Sequence, residues 1–232
     1  MFLSRLMLDV RSRAVRRDIA DCQGLHRTVM SAFPNGVGMG ARAELKILHR
    51  LEEGPAGPLL YVQSEAAPDW SGLPAGYLLE APMGLKNPGV RFLDAEWRTL
   101  TVGDRLHFRL RANPTRRAGT DEGRAALRAE AGVKGGQRLG LRTDAERVDW
   151  LVRKGQTAGF VIAGTRMDPQ VPDVRVATDR VGGVREPGDL QFSSATFDGA
   201  LVVTAVPALL TALRDGVGSA KAYGFGLLSV AR

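Results

Sequence analysis

One cysteine, five lysines and three histidines are all that 232 residues hold of those types, and aromatic side chains make up only 6%. Cys22 has no partner with which to close an internal disulfide, and its solitude excludes any zinc site built on paired cysteine ligands. Long apolar runs are missing as well. None approaches the roughly 18 residues that a spanning helix needs, so no membrane partner is expected. The opening run Met1-Phe2-Leu3-Ser4-Arg5-Leu6-Met7-Leu8-Asp9-Val10 is too short, and too soon followed by charge, for a secretory h-region. The expected location is the cytoplasm.

What is present is the composition of a globular chain, 44% hydrophobic and 25% charged. The length exceeds one typical domain of roughly 100 to 150 residues, and two modest domains are expected, 1–95 and 96–232. The net charge is +7, and with lysine supplying five of the 32 basic residues, 27 are arginine. A guanidinium grips phosphate through two hydrogen bonds and stacks on bases, so the skew suits a nucleic-acid partner. A GC-rich genome favours arginine codons too. Charge alone does not separate RNA from DNA or from an anionic membrane.

Apolar alternation at Phe2, Leu6, Leu8 and Val10 reads as a strand that enters a helix through the charged stretch 11–17. Ile19, Cys22, Leu25, Val29 and Phe33 recur every three or four residues, which predicts one helix over 19–33 with a single buried face, ended by Pro34-Asn35-Gly36. Strands are expected over 44–51 and 59–64, joined as a hairpin by Gly54-Pro55-Ala56-Gly57-Pro58. Leu106, Phe108 and Leu110 alternate with His107, Arg109 and Arg111, a half-buried strand with a basic outer face. Residues 115–140 carry little apolar periodicity and read as a basic loop or insertion. Thr143-Asp144-Ala145-Glu146 is a capping-box start for the next helix. Strands follow over 159–162, 173–178 and 190–197, and Asp198-Gly199 is expected to turn the chain into another over 201–205, before a helix over 207–213. Each half thus holds strand, helix, hairpin, helix-like segment and strand. The fold class is α+β, two tandem ferredoxin-like (RRM-like) units on antiparallel sheets.

The most distinctive stretch runs from Gly216 through Gly218, Lys221, Gly224 and Gly226 into a terminal strand. Such glycines let a phosphate backbone approach closely, amide groups in the turn can face phosphate oxygens, and Lys221 adds a cation. A plain helix-to-strand connection is the alternative. A dinucleotide fingerprint needs the reverse order, strand then helix, and the Walker spacing is absent.

That loop, with Ser12-Arg13, Arg16-Arg17-Asp18, Leu25-His26-Arg27-Thr28, Phe108-Arg109-Leu110-Arg111-Ala112-Asn113-Pro114 and the ending Gly224-Phe225-Gly226-Leu227-Leu228-Ser229-Val230, resembles the CasE family of CRISPR RNA endoribonucleases. The matches keep one order and span nearly the whole chain. The resemblance implies two ferredoxin-like domains, metal-independent cleavage of the repeat hairpin in precursor CRISPR RNA, and retention on the product beside the other Cascade subunits. No cofactor and no metal are expected. His26 matches the family's catalytic histidine, and an imidazole with an unperturbed pKa of about 6.5 suits proton transfer near neutral pH. One position past Leu25, it lies about 100° around from the apolar face. Similar members carry a tyrosine three residues before this histidine and a lysine five after it, where this chain has Gln23 and Ser31. Slow cleavage is therefore one expectation, with Arg27, Arg13 or Arg16 as the replacement cation. His49 and His107 read as packing or RNA-backbone residues.

A-form RNA hides its base edges in a deep, narrow groove, so recognition should use hairpin shape and phosphates. Arg109, Arg111, Arg116, Arg117, Arg175, Arg180 and Arg185 are the candidates for that grip, although each taken singly is more often a solvated charge than a ligand. Two other readings stay open, a hairpin-holding subunit without turnover and an enzyme acting on a phosphorylated metabolite.

Overall fold

The computed structural model describes residues 1–33, 40–81, 84–117, 138–183 and 190–232, with Arg117, Arg180, Gly183 and Leu190 described in their backbone only. The first strand, β1 (Phe2–Met7), is followed by two helices where the apolar periodicity predicts one, α1 (Arg13–Ala20) and α2 (Cys22–Met30). Asp21 makes the break. Its backbone is extended (φ −128°, ψ 105°), and its carboxylate accepts hydrogen bonds of 3.0 Å from the N–H groups of Gln23 and Gly24. A capping residue inside the periodic run thus ends one helix and starts the next. Ile19, expected on the buried face, belongs to α1 and is 37% exposed.

After α3 (Ala41–Glu44) come β2 (Leu48–Gly54) and β3 (Gly57–Ser64), the expected hairpin, closed by the pair Gly54 and Gly57. The pattern reading missed β4 (Gly89–Phe92), which pairs antiparallel with β1. The first sheet has the order β2-β3-β1-β4.

After β4 come α4 (Asp94–Trp97) and β5 (Arg105–Ala112). The ends of the expected basic loop are a small hairpin, β6 (Thr115–Arg117) with β7 (Arg138–Gly140), and 118–137 lie outside the described residues. Next stand α5 (Asp144–Thr157), which begins at the Thr143 and Glu146 capping box, β8 (Phe160–Ile162), β9 (Val174–Gly183), β10 (Leu190–Val203), α6 (Val206–Asp215) and β11 (Leu228–Ala231). Asp198-Gly199 is no turn, because β10 runs through it for 14 residues. The glycine answers a different need: a Cβ at Gly199 would stand 2.1 Å from the carbonyl oxygen of Asp173 on the neighbouring chain segment. The second sheet has the order β11-β5-β10-β8, with β9 paired to β10. In both sheets the unit's first strand lies between its last strand and the hairpin strand, so both are ferredoxin-like.

Each sheet covers its own core, one centred on Leu6, Val15, Leu25, Val62 and Tyr77, the other on Phe108, Leu110, Trp150, Phe160 and Phe197. A polar seam joins them. Gln63 donates to the carbonyl of Leu213 at 2.7 Å, and the buried Arg50 donates to the carbonyl of Leu227 at 2.8 Å and to Ser229 Oγ at 3.1 Å. Among the described residues no helix is long and apolar enough to cross a membrane.

Candidate nucleic-acid interface and catalytic centre

His26 sits in the middle of α2, half-buried, where the first unit meets the glycine-rich turn of the second. The turn is set by backbone geometry. Ala220 and Gly224 are left-handed (φ 59° and 84°) and flank a single 3-10 turn, Lys221–Tyr223, in which the Tyr223 N–H bonds the carbonyl of Ala220 at 2.9 Å. Gly216 (φ 79°) packs so tightly that a Cβ there would lie 2.9 Å from both Leu48 and the carbonyl oxygen of Gly226. Gly218 and Gly226 belong to the same positive-φ chain path. The Gly226 N–H is spent on the carbonyl of Arg111, at 2.7 Å. Close approach of the two units is thus one use of these glycines.

The turn brings a phenol to the imidazole. The Tyr223 ring stands edge-on to His26 with centroids 6.4 Å apart at 63°, and the His49 ring lies nearly parallel to His26 at 6.4 Å and 19°. Burial lowers the His26 pKa from its ordinary value, with the charges of Arg42 and Arg27 adding to the effect. His49 is 1% exposed and is pushed down to about 3, by burial first and then by His26, Arg111 and Arg42. Nδ1 of His26 and Nε2 of His49 are buried with no hydrogen-bond partner among the described residues. Both rings are therefore neutral at pH 7. Lys221 is lowered too, by burial and by Arg42, with Asp215 opposing.

Arg42, like Tyr223, is a residue that sequence reasoning missed. It belongs to a four-residue helix with no motif around it, and only the fold carries it to His26. Its Nη1 donates to the carbonyl of Ile47 at 3.2 Å. Arg27 is exposed, with Nη2 3.6 Å from the Asp21 carboxylate. Gln23 gives its N–H to Asp21, and Ser31 Oγ donates to the carbonyl of Thr28 at 2.8 Å. Buried Asp18 accepts from Thr28 Oγ1 at 2.6 Å and Tyr77 Oη at 3.0 Å, which ties α1 to α2 beside the histidine.

The other predicted residues divide. Arg13 and Arg16 are exposed on α1, Arg16 donating to the carbonyls of Val10 and Arg11. Arg116 and Arg175 are exposed on β6 and β9. Arg109 is held by Glu52 at 2.7 Å and Asp198 at 2.5 Å, and Arg111 by Asp179 and by Ser194 Oγ at 3.0 Å. These two line an inter-unit groove of about 690 Å³ that also includes Arg50, Cys22 and Tyr223. The side chains of Arg117 and Arg180, and all of Arg185, lie outside the described residues. His107 is exposed on β5 and His49 buried on β2. Among the described residues, no three His, Cys, Asp or Glu side chains gather as a metal site.

A family model described as CRISPR associated protein matches residues 1–232. The chain is 35% identical to the CRISPR-associated endoribonuclease Cse3 of Thermus thermophilus in an alignment of 241 positions that covers all of both proteins. It is 34% identical to the Cascade subunit CasE of Escherichia coli over 135 residues, 57% of this chain and 60% of that protein. Among solved structures, Thermus thermophilus Cse3 bound to an RNA representing a pre-cleavage complex superposes with a TM-score of 0.75 at 35% identity, covering all of this chain and 98% of that one. Escherichia coli Cas6e gives 0.65 at 25% identity, covering all of this chain and 99% of that one.

Proposed function

The chain belongs to the CRISPR-associated protein family, and from that footing we propose that it is a metal-independent endoribonuclease that cuts the repeat hairpin of precursor CRISPR RNA. It leaves a 2′,3′-cyclic phosphate and stays on the product in the cytoplasm as a subunit of Cascade. Its two units divide at 95/96, the first carrying His26 and the second the glycine-rich turn. The observation that carries the reading is a neutral imidazole at the junction of the units, facing a phenol and ringed by Arg27 and Arg42.

His26 takes or gives the proton at the scissile linkage, a contribution of roughly 10²- to 10⁴-fold. Arg27 and Arg42 answer the charge that grows on the phosphoryl oxygens, the work a lysine at position 31 would otherwise do. Lys221 holds a neighbouring phosphate, with Gly216, Gly218, Gly224 and Gly226 letting the RNA strand come close. Arg13, Arg16, Arg116, Arg117, Arg175 and Arg180 hold the hairpin's phosphates, and Arg109 and Arg111 join them where RNA phosphate displaces Glu52, Asp179 or Asp198 from the guanidinium groups.

The test is to incubate the protein with its genome's own repeat hairpin in EDTA, beside His26→Ala. Cutting by wild type alone, with a cyclic phosphate end, is the expected result. Tight binding without cutting by either protein would show a hairpin-holding subunit, the alternative that Gln23 and Ser31 favour.

A further inference from the structure

Cutting RNA through its own 2′-hydroxyl moves two protons. One leaves the 2′-oxygen as the O2′–P bond forms, and one arrives at the 5′-oxygen as the P–O5′ bond breaks. A single neutral imidazole can accept the first, but in an in-line displacement the entering 2′-oxygen and the departing 5′-oxygen lie on opposite sides of phosphorus, and a second group on the far side serves the departing oxygen. Resting on the endoribonuclease reading above, we propose that Tyr223 is the second catalytic residue, its phenol donating a proton to the departing 5′-oxygen while His26 accepts the proton of the 2′-hydroxyl.

The geometry suits that division. The two rings stand edge to face with centroids 6.4 Å apart at 63°, and Nδ1 of His26 has no hydrogen-bond partner among the described residues. Two groups that must each come within about 2.6 to 3.2 Å of a different oxygen on one phosphate stand apart in this way. Tyr223 is also held in place: its ring stacks on Phe192 at 5.1 Å and 27°, and its backbone sits between the left-handed residues Ala220 and Gly224. It lines the groove between the units, where a strand of RNA can reach it.

The other nearby proton carriers are occupied. His49 is neutral and 1% exposed. The hydroxyls of Thr28 and Tyr77 are given to Asp18, and that of Ser31 to a backbone carbonyl. Lys221, two residues before Tyr223, is the one rival that shares the turn. After the cut His26 is an imidazolium and Tyr223 a phenolate, and solvent returns the proton from one to the other. The products are a 2′,3′-cyclic phosphate and a 5′-hydroxyl.

A bridging sulfur in place of the 5′-oxygen, at the bond the wild type cuts, leaves as a thiolate and needs no proton. Single-turnover cleavage of the oxygen and sulfur hairpins by wild type, Tyr223→Phe, Lys221→Met and His26→Ala therefore separates the roles. Tyr223→Phe, which keeps the ring stacked on Phe192, should bind the hairpin as wild type does and cut the oxygen hairpin about 10²- to 10⁴-fold slower. On the sulfur hairpin its rate should return to near wild type, while His26→Ala stays slow on both. Wild-type cutting of the oxygen hairpin by Tyr223→Phe, or equal slowing on both hairpins, overturns the assignment, as does rescue of Lys221→Met alone. A wild type that cuts neither hairpin fails the endoribonuclease reading itself, and the assignment falls with it.

Discussion

His49 should make the protein acid-sensitive in a way that can be measured at a single residue. In the unfolded chain an imidazole titrates near 6.5, whereas in the fold burial and the positive neighbours Arg111 and Arg42 hold His49 down to about 3. Below pH 6.5 the unfolded state takes up a proton that the native state refuses, so stability present above that pH is lost as the pH falls. At pH 5 the loss from this one group is about 2 kcal/mol, from RT ln(1 + 10^1.5), and it depends only on the native value lying well under 5. The assay is urea unfolding of wild type and His49→Leu at pH 7.5 and pH 5. His26 and the carboxylates titrate in both proteins, and the comparison between them isolates His49. Wild type should lose about 2 kcal/mol more than the variant on acidification. Equal losses would mean that the ring gains a partner or water in solution, and the argument from its burial would fail.

Two further outcomes follow from the same neighbourhood and from the seam. Since burial, Arg42 and Arg27 all lower His26, kcat/KM for hairpin cleavage should stay level from neutral pH down past about 6.5 before it falls, and a midpoint at or above that value in a pH series would refute the neutral base. Arg50→Ala should cost about 3 to 5 kcal/mol in denaturant, because it removes a buried cation from Glu52 and leaves the carbonyl of Leu227 without its donor, whereas a loss under about 1 kcal/mol would show that the seam is not held there.

Local pattern carried the repeating order of strand, helix and hairpin, and it carried His26 through a motif that a resemblance could match. It failed where one residue served two purposes. Asp21 lies within an apolar periodicity that runs from Ile19 to Phe33, and nothing in that period announces that its carboxylate will cap a new helix. Gly199 follows an aspartate, as a turn glycine does, yet it is there because Asp173 crosses against it. Arg42 and Tyr223 reach His26 from distant positions, and no spacing links them before the units dock. The arginine excess was legible as charge, but not its division. Arg50, Arg109 and Arg111 are matched by Glu52, Asp198 and Asp179 along the joint, while Arg13, Arg116 and Arg175 point to solvent.

That division bears on the chemistry, because the candidate centre is split between the units. The helix with His26 belongs to the first sheet and the turn with Tyr223 and Lys221 follows α6 of the second, so their spacing is only as fixed as the joint. A displacement of about 1 Å between reacting groups can cost on the order of 10²-fold in rate. The joint is built from bonds that do not slide: Gln63 reaches the carbonyl of Leu213 just before the glycine-rich turn, and Arg50 reaches Leu227 just after it. Each is a buried donor from the first sheet clamping one end of the loop that delivers the phenol. A purely apolar contact of the same area would hold the units together without fixing their register, since dispersion falls off gradually with sliding while an unmet buried donor costs about 1 to 3 kcal/mol. The buried Arg50, through its bond to Leu227, thus helps set the spacing of His26 and Tyr223 across the joint.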